Sequence, residues 1–252
     1  MRLSFGIAAL IALHAAAAAA RAQIPPELID HPPAQLVGNA FATDYGRKVV
    51  AEFGKILRVS ADPECLRSKG VDPAAMDERA NDILVRSGTK MFEIYIALVD
   101  TTKFEAAFAA RAGPNAKAEY ARLRADPEVS RLDALSQPAT AVTIVLQVSE
   151  TVTRHALLAR IKLKGGFSPL STGNARLLEE QERITDRYEE EVERVLKTSN
   201  SPQIRRLLEI QEAFAKAWVE ATSENELLKL GPRQLTPGLD VELAALCVPA
   251  GR

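Results

Sequence analysis

Two cysteines, a run of glutamates and one internal histidine are the residues of this chain whose types could do chemistry. Cys65 and Cys247 are the only cysteines, and no C-x-x-C redox motif is present. An even pair in an oxidising compartment predicts one disulfide. It would close a loop of about 180 residues, for which loop entropy gives an upper figure of roughly 5 kcal/mol. A reactive thiol would need a base or an electropositive neighbour. Only Arg67 and Lys69 stand close to Cys65 in sequence. The expected Cys65–Cys247 bond would bring the segment Leu243–Val248 against Pro63–Leu66.

The acidic cluster Glu179, Glu180, Glu182, Glu189, Glu190, Glu191 and Glu193 suggests carboxylate chemistry. Arg176, Arg183, Arg187 and Arg194 are interleaved at spacings of three and four residues. On a helix such pairs contribute about 0.2–0.5 kcal/mol each, which predicts a solvated face and not a site. A di-metal carboxylate centre needs Glu-x-x-His on partner helices. That motif is absent, and Glu150 precedes His155 by five residues, which places them on different helix faces. H-E-x-x-H, G-x-S-x-G, the P-loop and G-x-G-x-x-G are also absent. Zinc hydrolase, serine hydrolase, nucleotide and dinucleotide readings therefore lack support, and no metal or cofactor is expected. A carboxylate general acid would be drawn from Glu93, Glu105 and Glu150, which lie on the most apolar helices. Each would have to sit in a cleft with a raised pKa; three exposed or paired carboxylates would end that reading. Tyr188, Phe214 and Trp218 are candidates to line an apolar pocket between helices, although aromatics more often fill a core.

The elements that must carry these residues read as helices. Gln23–Pro33 is an extended arm, because Pro25-Pro26 and Pro32-Pro33 oppose helix. Apolar spacing predicts a helix over Leu36–Val59 and a short one from Asp62-Pro63 to Gly70. Asp72-Pro73 starts the next, which Ser87-Gly88 breaks. Met91–Ala112 is apolar on most sides and is expected to be the central helix. Short pieces follow at Ala116–Ala125 and from Asp126-Pro127 to Leu135. Gln137-Pro138 opens Ala139–Lys164, whose run Val142–Val148 resembles a strand. No partner strand lies nearby, so helix is expected there. A loop spans Phe167–Gly173. Asn174 then caps a helix with the stripe Leu177, Gln181, Ile184, Tyr188, Val192 and Val195. Ser201-Pro202 starts a second, with Ile204, Leu207, Leu208, Gln211, Phe214, Ala215, Trp218 and Val219 inward. Together they predict an antiparallel hairpin. Glu224–Leu230 is a short helix stopped by Gly231-Pro232, and the tail carries at most a turn over Asp240–Leu246. The expected fold is all-α: an irregular multi-helix bundle with a C-terminal amphipathic hairpin. It would form one domain over residues 36–252 after an arm at 23–35, with a candidate split near 167–173.

Residues 1–22 supply an address. Arg2, the apolar run Phe5–Ala20 and the small residues at Ala20 and Ala22 form a secretory signal of the A-x-A kind, with Gln23 as the first mature residue. The run is too short for a spanning helix, and no cysteine lies near the cleavage point to carry lipid, the first being Cys65. Removing residues 1–22 deletes Arg2 and Arg21 and no acid, taking the formal charge from −1 to −3. A nucleic-acid binder would show a basic patch, which this charge balance lacks. The expectation is a periplasmic or secreted protein without a stable membrane span. It would bind an envelope protein or a small apolar ligand without catalysis. The alternatives are an envelope hydrolase acting through a carboxylate, and an oligomeric scaffold using the Leu177–Val195 stripe as a seam.

Overall fold

The structure is a computed structural model and describes residues 32–159, 161, 163, 174–222 and 229–249. The signal, the arm up to residue 31, the loop at 167–173 and most of the expected helix at 224–230 lie outside these residues. Among the described residues the protein is all-α, with eleven α-helices and no strand. They are α1 (Pro33–Phe41), α2 (Asp44–Ser60), α3 (Pro63–Lys69), α4 (Met76–Ala97), α5 (Thr101–Ala112), α6 (Ala116–Leu123), α7 (Pro127–Leu158), α8 (Ala175–Thr198), α9 (Pro202–Ala221), α10 (Pro232–Leu235) and α11 (Leu239–Ala245). A 3-10 turn, Pro73–Ala75, leads into α4.

Several boundaries differ from the sequence expectation, each for a local reason. Pro33 is helical and belongs to α1, not to the arm: Pro32 is extended and Pro33 takes the first helical position, where its missing N–H costs nothing. The helix expected over Leu36–Val59 is two helices. Thr43 caps the second by accepting from Gly46 N at 3.1 Å. Gly46 is required at that junction, because a Cβ there would meet Ala40 O and the Phe41 backbone at 2.5 Å. Ser87-Gly88 breaks nothing. Helix α4 runs through it, and the break falls at residues 98–100, where Asp100 caps α5 by accepting from Lys103 N. The central helix expected at Met91–Ala112 is therefore divided. Pro138 lies inside α7, which is one helix of 32 residues covering both pieces expected there. The strand-like run Val142–Val148 is helical, as expected. Gly231-Pro232 opens α10.

The chain forms two compact units, each assembled from separated segments. The described part of the first comprises residues 95–136 and 186–222 with residue 229; that of the second comprises 32–94, 137–159, 161, 163, 174–185 and 230–249.

In the first unit, α9 packs mainly along α5. Its buried face is Ile204, Leu207, Ile210, Phe214, Ala217 and Ala221, rotated from the expected stripe, so that Ala215 and Val219 face solvent. Ala107 of α5 and Ala213, Ala217 and Ala221 of α9 are small residues of the same buried cluster. The space between is filled by rings: Phe104 stands 5.1 Å from Phe214, edge to face. Arg206 Nε and Nη2 reach Glu119 at 3.1 and 2.8 Å, and Nη2 also donates to Ala112 O at the end of α5.

In the second unit, Phe41, Phe53, Leu57, Met76, Leu84 and Met91 are buried, with Val145, Val148 and Val152 of α7. Gly88 allows a close approach: a Cβ there would meet Val148 Cγ2 at 2.7 Å and Val37 Cγ1 at 2.8 Å. Cys65 and Cys247 are paired at disulfide distance, with Cα atoms 5.8 Å apart, and Asp62 N donates to Cys247 O at 2.8 Å.

Candidate functional site

The three glutamates singled out for acid catalysis are surface residues in ion pairs. Glu93 accepts from Lys90 at 2.8 Å on the same helix. Glu105 meets Lys117 at 3.3 Å, and Glu150 meets Arg154 at 2.5 Å. Each carboxylate has its cation beside it, so none is the cleft-held acid that the hydrolase reading requires.

The aromatic candidates belong to the first unit's core. Phe214 is 2 % exposed and is surrounded by Phe104, Phe108 and Trp218, all with ring centroids within 6 Å of its own. Trp218 also stands edge to face with Phe104. Tyr188 is half-buried against the same cluster. These contacts are those of packed aromatics. The Leu177–Val195 stripe is likewise used within the chain. Val192 is buried in the first unit's cluster, with Tyr188 and Val195 packed on it, and Leu177 is buried in the second unit.

A cleft of ≈ 470 Å³ opens in the first unit where α7 begins, α8 ends and α9 begins. Leu132, Val195 and Ile204 give it apolar walls. Its polar lining is of two kinds. Glu128, Arg131, Glu191 and Arg194 supply charge; Thr198, Ser199, Asn200, Ser201 and Gln203 supply hydroxyls and amides. The local sequence explains the second group. The chain must leave one helix and start the next within three residues, and Ser201 does so by capping Ile204 N while its hydroxyl donates to Gln203 Oε1.

The charged group is ordered by Glu191. Arg194 holds it with two nitrogens, Nε at 2.7 Å and Nη2 on the other oxygen. Arg131 Nη2 reaches the same carboxylate at 3.8 Å. The hydrogen bond from Arg194 holds the Glu191 carboxyl below the usual carboxylate range, with Arg131 and Arg187 adding to it. The Arg131 side chain is 74 % exposed, and its pairing uses one edge of a five-donor guanidinium. It can therefore meet a second anionic oxygen in the cleft.

A separate polar cluster lies in the second unit. His155 is 3 % exposed, and its Nδ1 is 2.7 Å from Thr236 Oγ1. The Thr236 hydroxyl donates to Pro232 O at 2.8 Å, which leaves its oxygen to accept from Nδ1–H. Burial pushes the His155 pKa below the ordinary value; Asp240 opposes that shift and Arg233 adds to it. Arg233 itself donates to Leu158 O at 2.6 Å. Among the described residues, no group of three His, Cys, Asp or Glu could hold a metal ion. No described helix is long and apolar enough to cross a membrane.

No family model, curated protein or solved structure matches the chain.

Sequence reasoning missed Arg131 and the 198–203 cluster as a site. The only signal was the Thr-Ser-Asn-Ser run ahead of Pro202, which reads as turn chemistry. The His155–Thr236 pair joins residues 81 apart, and neither residue's neighbours announce it.

Proposed function

We propose that this is an exported, non-catalytic binding protein of the cell envelope, and that the first unit's cleft receives a small polar ligand carrying a carboxylate. The signal-like residues 1–22 and the two-cysteine composition support export. One observation carries the binding reading: Arg131 lies on the cleft with its side chain largely exposed, beside the hydroxyls and amides of Thr198, Asn200 and Gln203. A guanidinium with donors to spare favours a carboxylate, and the neighbouring groups can hydrogen-bond its polar remainder. The volume lies within the range of small-ligand sites. An apolar ligand at Tyr188, Phe214 and Trp218 is the weaker reading, since Trp218 packs on Phe214 and Phe104 and Tyr188 packs against the same cluster.

Native mass spectrometry of the protein purified from its own compartment, without chelator or reductant, tests this. The expected spectrum shows a mature chain beginning at Gln23 with an added mass that leaves on denaturation. Arg131→Ala should lose that mass while folding normally, because Arg131 is exposed and its ion pair with Glu191 is long. A bare chain that also fails to bind small carboxylates by calorimetry would overturn the cleft reading.

A further inference from the structure

The segment after residue 230 contributes both apolar and polar contacts to the second unit. Leu235, Leu239, Leu243, Leu246 and Val248 are buried, so the segment's inner side is hydrophobic. Polar pins hold it at intervals. Arg233 donates to Leu158 O. Thr236 meets His155. Glu242 pairs with Arg86 of α4 at 3.2 Å. Lys69 of α3 reaches Ala244 O at 3.3 Å, the Asp62 N–H meets Cys247 O, and Cys65 is bonded to Cys247. The far end is thus covalent, and all the other pins are reversible. The His155–Thr236 pin is buried, whereas those of Arg233, Arg86 and Lys69 are exposed.

We propose that residues 232–248 form a strap whose closure is set by the charge on His155: the neutral imidazole keeps it shut, and the imidazolium lifts it while the disulfide retains its end. Neutral His155 satisfies Nδ1–H with Thr236 and needs no counter-ion. A second proton adds a full charge to a side chain that water barely reaches, and a buried charge is costly unless paired. The charged groups acting on it from the strap are Arg233 of α10, which repels the imidazolium, and Asp240 of α11, which attracts it. On its own helix Glu150 and Arg154 neutralise one another. Asp240 and a backbone hydrogen bond at Thr236 offset only part of the cost, because the net direction favours the neutral ring. Lifting the strap separates His155 from Arg233 and admits water to the ring. Glu242 responds to acid in the opposite sense, because a carboxyl with a raised pKa takes up its proton more readily in the closed strap. Burial raises its pKa, Asp82 adds to this, and Arg86 opposes it.

Hydrogen exchange read by mass spectrometry on the full disulfide-bonded chain separates the two groups. Between pH 7.5 and 5.0, after correction for intrinsic exchange, peptides covering 232–248 should lose protection, by up to about tenfold for each unit by which the ring's pKa is lowered. Peptides of α2 and α4 should keep theirs. His155→Gln should remove the pH response, Asp240→Asn should enlarge it, and Glu242→Gln should leave it in place. If His155→Gln does not fold, the other two variants decide. A response abolished by Glu242→Gln would overturn the proposal, as would wild-type protection that is equal at both pH values or that falls together across the whole unit.

Discussion

At the scale of single residues, two buried polar groups give opposite kinds of prediction. Tyr45 is buried on α2, and its Oη has no hydrogen-bond partner among the described residues. Burial, helped by Glu180, pushes its pKa up to about 12, so the ring is neutral at any working pH. An unsatisfied buried hydroxyl costs about 1–3 kcal/mol. Tyr45→Phe should therefore be neutral or stabilising by about 1 kcal/mol in urea unfolding, and a clear loss of stability would mean that the hydroxyl has a partner. His155 is satisfied, and its penalty appears only on protonation. Its folded pKa lies below the unfolded value of about 6.5. The unfolded chain then binds more protons between those two values, so its contribution is complete above pH 6.5 and is lost as pH falls toward the folded pKa. Urea midpoints measured from pH 7.5 to 5 should fall for the wild type, and this component of the fall should be missing in His155→Gln.

At the scale of elements, the glycines separate what the sequence showed from what it concealed. Read alone, Ser87-Gly88 is a helix break, and Gly88→Ala should stabilise any helix through it by about 1 kcal/mol. In the fold, Gly88 is where α4 lies against Val37 of α1 and Val148 of α7. A methyl group there meets both side chains below 3 Å, and overpacking typically costs 1–3 kcal/mol. The packing term is the larger, so Gly88→Ala should destabilise by about 1–2 kcal/mol in urea unfolding; a gain would show that the two valines yield. The same logic explains which boundaries were legible. Asp62-Pro63, Asn174 and Ser201-Pro202 announce helix starts through local capping chemistry, and the structure has them. Thr43 and Asp100 cap equally well, but each lies inside a continuous apolar pattern that masks the break. Pro138 failed as a signal in the other direction, because α7 continues through it. The candidate cleft was invisible for a further reason: its lining comes from the ends of three helices, where turn residues and ligand-binding residues are the same types.

At the scale of the whole molecule, the order of segments decides how much the disulfide contributes. The second unit is built from three stretches of chain, and Cys65 lies in the first of them and Cys247 in the last. The described segments of the first unit all fall between the two cysteines in sequence. The bond therefore closes a sequence separation of 182 residues. A cross-link of that span removes denatured-state entropy equivalent to about 5 kcal/mol in the loop model, and measured losses for native disulfides run to about 2–5 kcal/mol. The αL conformation of Cys247, at φ 58°, is a local cost that the rest of the segment must offset. Leu239, Leu243 and Val248 are buried in the second unit, and their apolar burial does not require the covalent bond, so the reduced protein should still fold. Cys65→Ala/Cys247→Ala should accordingly lose about 2–4 kcal/mol in urea unfolding while keeping its helical circular dichroism. An unchanged midpoint would mean that the denatured chain already holds its ends together. Complete loss of helical signal would mean that the apolar contacts of the last helices cannot form without the covalent link.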